Sequence, residues 1–502
     1  VRFRSIGLAA LFAFSSCAAF ATPEPFPGAT GPDPQAAFGE RLQASLVQLG
    51  QRTCEVATWR NLLSDPAFPA APSRLRSLVY YGAAVCIRGP EGHQWIRQAT
   101  DQTDAPPFTW ALRFADDVDR KDKEDGLHAL EVSAAQSNWT EVRTFSDQAL
   151  FRFWRDLRSD PTDNRRLLGL LDRAGWKPQS LGGDGSALWS EWALILLEDG
   201  KTTDAARVAK RITRPDVLFR LRLDKRFDPI TTSDVKAFDV DGAAVAVLEG
   251  HRAAYAAHPE DDELAYEIIQ DLRLLNRLDE ALSVADKTLA KSEVKDDRGQ
   301  DYRNWIEDRR AMVLGDLDRV EEALAIEQRA AERSEHGSPN VSQRINLAGL
   351  LSSVGKHEEA LGMLAPFEKG LSASPYGNMW VAAERACAAG ALGRSAIATK
   401  ALAFTAAHAA DNKGARLKAQ LCANDLSGAR ATVMGWLASP TERQYALVQL
   451  SRFAATPLPP FQAELARRFE IVRSDPAVVA AVDKVGRTET SKLNGSIWID
   501  FL

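Results

Sequence analysis

At 502 residues the chain is longer than one compact core usually holds, so several domains or an extended repeat array are expected. Its 45% hydrophobic and 26% charged residues fit an ordinary folded protein and exclude a disordered one. A formal net charge of −6, with no basic face interleaved with aromatics, argues against nucleic acid as a partner.

The N-terminus has the order of a secretory signal. Arg2 and Arg4 precede an apolar run from Ile6 to Phe14, and Ala19-Phe20-Ala21 supplies small residues for cleavage. Residues 1–21 are therefore expected to be removed, leaving a Pro- and Gly-rich leader over 22–35. Phe14-Ser15-Ser16-Cys17 offers a rival reading, a lipoprotein box with an acylated Cys17, although Phe14 stands where an aliphatic residue is usual. No later stretch reaches ~18 consecutive apolar residues, so no membrane span is expected after cleavage.

Residues 36–64 and 73–88 read as a first helical hairpin. Leu42, Leu46 and Leu49 have helical spacing, as do Leu75, Leu78 and Val79. Pro66, Pro69 and Pro72 mark the turn between them, and Cys54 and Cys86 lie symmetrically about it. A disulfide is geometrically reasonable there in an oxidising compartment. Spacing alone leaves open two buried free thiols, and it decides nothing about Cys387 and Cys422.

Pro106-Pro107 precedes a helix from about Phe108 to Asp117. Asn138-Trp-Thr-Glu141 turns a further hairpin, with Asn138 read as a helix cap rather than a glycosylation acceptor. A helix from Asp160 to Pro178 follows. Gly182-Gly183-Asp184-Gly185 resembles half a phosphate loop, but helices precede it and no Lys-Ser/Thr follows. Asp184 or Ser186 is expected to cap the next helix. Residues 36–180 form a degenerate helical-hairpin region on this reading.

A repeat begins with Trp189-x-x-Trp192-Ala193-x-x-Leu196, then a turn at Gly200 and a second helix with Ala205 and Ala209. The turn recurs as Asn276-Arg-Leu-Asp-Glu-Ala-Leu282, Asp318-Arg-Val-Glu-Glu-Ala-Leu324 and Gly355-Lys-His-Glu-Glu-Ala-Leu361. Ala281, Ala323, Ala360, Ala398 and Ala429 keep the phase at intervals near the length of a helical hairpin. Between the first and second clear units, Arg226-Phe-Asp-Pro-Ile230 interrupts a degenerate one. After Pro440 the repeat fades, and a helix is expected from Thr441 to Ala454. Another is expected from Phe461 to Arg473, and 441–502 reads as a C-terminal helical cap and tail.

These motifs, over 181–440, resemble the tetratricopeptide (TPR) superfamily. The layout is similar to uncharacterised exported proteins of that superfamily in Gram-negative bacteria. The resemblance implies an all-α solenoid, a right-handed superhelix whose concave face is built from first helices and binds peptides or protein segments. It implies no enzyme.

A search for chemistry agrees. The sequence has no H-E-x-x-H or G-x-S-x-G, and the seven histidines are scattered. His251 and His258 read as a solvated pair, and Arg309-Arg310 as salt-bridged helix surface. Asp117-x-Asp119 and Asp239-x-Asp241-Gly242 lack the remaining ligands of a calcium loop and read as caps or solvated turns. No metal and no cofactor are expected.

The Ala register places Tyr266, Gln270, Arg273, Trp305, Asp308, Asn346 and Trp380 on the concave side of consecutive repeats. Exposed aromatics ringed by polar groups are how interaction hot spots look. The expectation is a non-enzymatic protein-binding scaffold, periplasmic or secreted. The alternatives are a lipid-anchored outer-membrane assembly factor and an envelope enzyme using residues 90–185. The partner's identity and the oligomeric state are not written in these motifs.

Overall fold

The computed structural model describes residues 33–87, 89–178, 184–291, 297–335 and 338–499. The expected signal peptide, Cys17, most of the leader and Gly182-Gly183 lie outside the described residues. The contacts divide the chain into two compact units, Val1–Ile195 and Leu196–Leu502. The described residues are almost wholly helical in both, and none of their helices is long and apolar enough to cross a membrane.

The first unit runs α1 (Pro34–Gly50), α2 (Val56–Leu63), α3 (Ser73–Cys86), α4 (Pro90–Thr100), α5 (Pro107–Arg120), α6 (Lys123–Gln136), α7 (Asp147–Leu157) and α8 (Pro161–Ala174); α9 (Ser186–Glu198) contains the division. Proline opens α1, α4, α5 and α8, where its missing N–H leaves no bond unmade. The single helix expected over 36–64 is two, because Arg52 turns the chain with φ 65°. Cys54 sits in that link and is joined to Cys86 by a disulfide, with Cα atoms 5.4 Å apart.

Asn138 was expected to cap a helix start. Instead Asn138 and Trp139 both take left-handed conformations that close the end of α6. Asp184 does act as a cap, its carboxylate accepting from the Ser186 N–H.

Bulky aromatics fill this unit. Trp59 is 1% exposed and its six-membered ring packs against Gly82, where an added Cβ would fall 2.1 Å from the indole. Phe114 stacks on Phe145 and meets Phe153 edge-on, and Trp176 packs 6.2 Å from Trp189.

The second unit continues with α10 (Thr202–Ala209), α11 (Pro215–Leu223), α12 (Asp228–Thr231), α13 (Val240–Ala257), α14 (Asp262–Leu274), α15 (Leu278–Leu289), α16 (Asp297–Asp316) and α17 (Val320–Glu332). A two-residue pair, β1 (Ser334–Glu335) and β2 (Ser338–Pro339), leads to α18 (Val341–Ser353), α19 (His357–Glu368), α20 (Pro375–Ala391), α21 (Ser395–Ala407), α22 (Lys413–Cys422) and α23 (Leu426–Ala438). Then come α24 (Arg443–Leu450), β3 (Arg452–Ala454), α25 (Pro460–Arg473), α26 (Pro476–Val485) and β4 (Thr490–Asn494).

One turn repeats through this array. Gly200, Asn276, Asp318, Gly355, Gly393 and Asn424 each sit at φ between 55° and 86°. The next N–H then bonds the carbonyl five residues back at 2.8–2.9 Å. This left-handed C-terminal closure satisfies a helix-end carbonyl, and only Gly, Asn or Asp adopts it cheaply. Five residues beyond each turn stands an alanine. Ala205, Ala281, Ala323, Ala360 and Ala429 are wholly buried, which lets the helices of each hairpin cross closely, while Ala398 is half-buried.

First helices pack on one another, α14 on α16, α18 on α20 and α20 on α22, so they form the inner wall. Cys387 and Cys422 bridge α20 to α22 with Cα atoms 4.8 Å apart.

The C-terminal segment, expected as a cap, instead returns across this array. The chain leaves α24 at Leu450, short of the expected Ala454, because Arg452–Ala454 pair in parallel with β4. That pairing joins residues far apart in the chain, which no helical periodicity encodes. Helix α24 packs on α11, and Arg487 donates to both carboxylate oxygens of Asp228 at 2.7 and 2.8 Å. The second unit is thus closed on itself, with α25 lying against α18, α22 and α23.

Candidate cavity of the second unit

A cavity of about 760 Å³ lies between the first helices, β3, α25 and the segment after β4. Arg273, Asp308, Asn346 and Trp380 line it, so the structure brings together four of the seven residues expected on the inner wall. Tyr266, Gln270 and Trp305 do not line it and are half-buried. Tyr266 still reaches the site at one remove, because its hydroxyl accepts from Arg309 at 3.0 Å.

Arg273 is committed to the closure of the unit. Its guanidinium donates to Asp316 at 2.6 Å and to the Ser496 hydroxyl at 2.9 Å. The Asn494 amide donates to the same Asp316 carboxylate at 3.0 Å, so the returning segment sits directly on two inner-wall helices. Both members of the Arg273–Asp316 pair are buried. Such a pair is costly to break, because removing one partner strands the other in low dielectric.

A second cluster is acidic. Asp308 is wholly buried and accepts from the Asn346 amide at 2.7 Å, with Arg309 3.3 Å away. Glu327, 3% exposed, lies beside Asp308. Burial and then the Asp308 charge push its carboxyl well above the usual carboxylate range. Glu384, also 3% exposed, takes Lys418 at 2.8 Å. The Lys418 ammonium lies 5.8 Å from the centre of the Trp380 ring. Tyr376, 57% exposed, meets Trp380 edge-on at the rim.

Glu327, Ser352, Tyr376 and Glu384 escaped the sequence reading. Two left a signal there. Glu327 falls on the buried stripe of α17 with Ala323 and Ala330, and Glu384 stands in an alanine-rich run; a charge on an apolar face marks a paired or functional group.

Other expectations need correction. Arg309, expected at the surface, lines the cavity; Arg310 does pair at the surface with Asp286. His251 is half-buried rather than solvated and meets Asp271 at 2.7 Å, an interaction that raises its pKa. In the first unit Asp117 is wholly buried instead of sitting in a solvated turn. It gathers with Asp122 and Asp125, and separately with His93 and Asp116, at distances a metal ion could bridge. Arg97 contacts Asp117, Asp122 and Asp125, and Arg113 contacts Asp117 and Asp125, so protein cations already compensate these carboxylates.

These features define a helical-repeat protein with a cavity of mixed polar and apolar lining on its inner wall. No protein-family model matches the chain, and no curated protein matches it. One solved structure, a circular tandem repeat protein with novel repeat topology and enhanced subunit contact surfaces, is similar at 14% identity over 90% of this chain and 94% of its own, with a TM-score of 0.13. At that score the likeness carries no argument, and the fold rests on the helices and turns themselves.

Proposed function

We propose that the protein is a non-enzymatic, TPR-like scaffold of the bacterial cell envelope that takes a peptide segment of another protein into the cavity of its second unit. The observation that carries this reading is the cavity itself. Its volume falls in the range of specific binding sites, and its wall mixes an aromatic pair, Tyr376 and Trp380, with convergent polar groups. An envelope location, periplasmic or secreted, is supported by two disulfides that use all the cysteines among the described residues. Anchoring through Cys17 would place the same scaffold at the outer membrane. The non-enzymatic reading carries over from the motifs the sequence lacks.

Crosslinking and affinity capture from the native envelope test it. Tyr376→Ala and Trp380→Ala should each weaken capture of the partner by about tenfold or more, as truncating a hot-spot aromatic does. Trp305→Ala, outside the cavity, should leave capture unchanged. Tyr376 is exposed, so its loss should not disturb folding. Equal capture by wild type and Tyr376→Ala, with Trp380→Ala also folded and equal, rejects the cavity as the site.

A further inference from the structure

We propose that a second, smaller hollow on this unit binds an organic carboxylate, with the Arg344 guanidinium as its main donor and the Lys369 ammonium beside it. The hollow, of about 330 Å³, is lined by Pro339, Arg344, Pro366, Lys369 and Leu371. None of these residues lines the cavity described above, so the site stands apart from the scaffold reading.

Two neighbouring loops build it. Pro339 ends β2, and Arg344 lies in the first turn of α18. Pro366 lies in the last turn of α19, with Lys369 and Leu371 just beyond it. Gly370, at φ 102°, folds that second loop back, so the Lys369 and Leu371 N–H groups both bond the Pro366 carbonyl at 3.0 Å.

The wall carries positive charge and nothing on it answers. Among the described residues neither Arg344 nor Lys369 makes an ion pair or a side-chain hydrogen bond, and no carboxylate lines the hollow. Glu368, next in the chain to Lys369, turns instead to Arg385 at 3.5 Å. Arg344 is half-buried, and its Nε is buried without an acceptor. An arginine that serves only as solvated surface keeps its donors in water. A guanidinium N–H withdrawn from water and left unpaired is unfavourable, and it marks a place for an incoming acceptor.

The supply of donors selects the anion. Pro339 and Pro366 have no N–H, and the Arg344 N–H bonds the Asn340 carbonyl at 3.3 Å. Those of Lys369 and Leu371 are taken by Pro366, so no backbone N–H of the lining is left to cradle a phosphate. One guanidinium fork and one ammonium remain, which suit the two oxygens of a carboxylate. The proline rings and Leu371 supply an apolar rim for the body that carries it. A carboxylate also loses less hydration against such a rim than a phosphate dianion does. The same chemistry is offered by a free short-chain acid and by an acidic side chain of a polypeptide.

Ligand-observed NMR titration of the full chain tests this with four probes: isovalerate, its neutral amide isovaleramide, inorganic phosphate, and a blocked pentaglycine whose central residue is glutamate. Isovalerate should bind about tenfold tighter than isovaleramide or more, since the amide forfeits a charge-assisted bond. Arg344→Gln should remove that preference and leave the melting temperature where it is, because the Arg344 head group holds no other described residue. Lys369→Gln, at an exposed position, should reduce the preference severalfold. Equal binding of isovalerate and isovaleramide overturns the inference. So does an undiminished preference in a folded Arg344→Gln or in Lys369→Gln, and so does phosphate binding tighter than isovalerate. With the Arg344→Gln loss observed, tighter binding of the glutamate peptide than of isovalerate assigns the carboxylate to a polypeptide, and the reverse assigns it to a free acid.

Discussion

The two units solve the same problem, stacking helices, by different means. In the second unit a left-handed Gly, Asn or Asp ends one helix, and a buried alanine five residues on lets the next cross it closely. In the first unit the same closure occurs at Arg52, Lys121, Asn138 and Gly175, each with the next N–H bonded to the carbonyl five residues back, but among the described residues a buried small residue stands five positions on only at Lys121. There Gly126 takes the place of the alanine and lies against Phe153. Elsewhere large rings fit particular hollows, as Trp59 does on Gly82. A local turn code distributes stability over many similar joints, whereas interlocking rings concentrate it in a few.

The largest expected effect breaks the first unit at one such ring. Trp59→Ala should cost ~3–5 kcal/mol, as truncating a buried aromatic does, and should be seen as early loss of one phase in urea unfolding. The second phase should not move.

A smaller effect concerns acid in the same unit. Burial raises the Asp117 pKa from 3.8 to about 6, against the opposing pull of Arg113 and Arg97. The folded chain therefore keeps a proton that the unfolded chain loses between those values. This group's contribution is greatest at acid pH and declines as pH rises to about 6, by up to ~3 kcal/mol. Asp117→Asn should flatten that slope in unfolding free energies measured from pH 4 to 7. An identical slope in the variant would show that Asp117 is not the group responsible.

The smallest effect probes the turn code. Gly355 has φ 86° and open space around its missing side chain, so Gly355→Ala tests backbone conformation alone. It should cost about 1 kcal/mol, while Asn276→Gly should be neutral or slightly stabilising. Thermal unfolding of both variants would measure the contrast.

This difference explains what could be read in advance. The turns at Asn276, Asp318 and Gly355 are local, so a short stretch of sequence carries the whole signal. The inner-wall register followed from them, and it placed Arg273, Asp308, Asn346 and Trp380 about one cavity. It could not distinguish Trp305, which shares that register but not the cavity. The break at Arg52 rests on one unmarked residue, and the return of residues 486–499 depends on partners more than two hundred positions away. The acid cluster was hidden for a related reason. Glu327 and Glu384 stand on stripes that periodicity assigns to the core, and only the assembled wall turns them toward a common space.

The closure of the second unit also sets an order of events in time. Its hairpins join neighbours in sequence, so each can form soon after it emerges, in the manner of fast local folding. The bridge between Asp224 and Gly486, and the bonds of Arg487 to Arg222 and Asp228, must wait for nearly the last described residues. Until then the inner wall stays open, and the buried Asp316 lacks Asn494 and Arg273 lacks Ser496. Before residues 486–499 are in place, the inner wall is an incomplete trough open to chaperones and proteases. Residues 486–499 act as the clasp that ends this exposure.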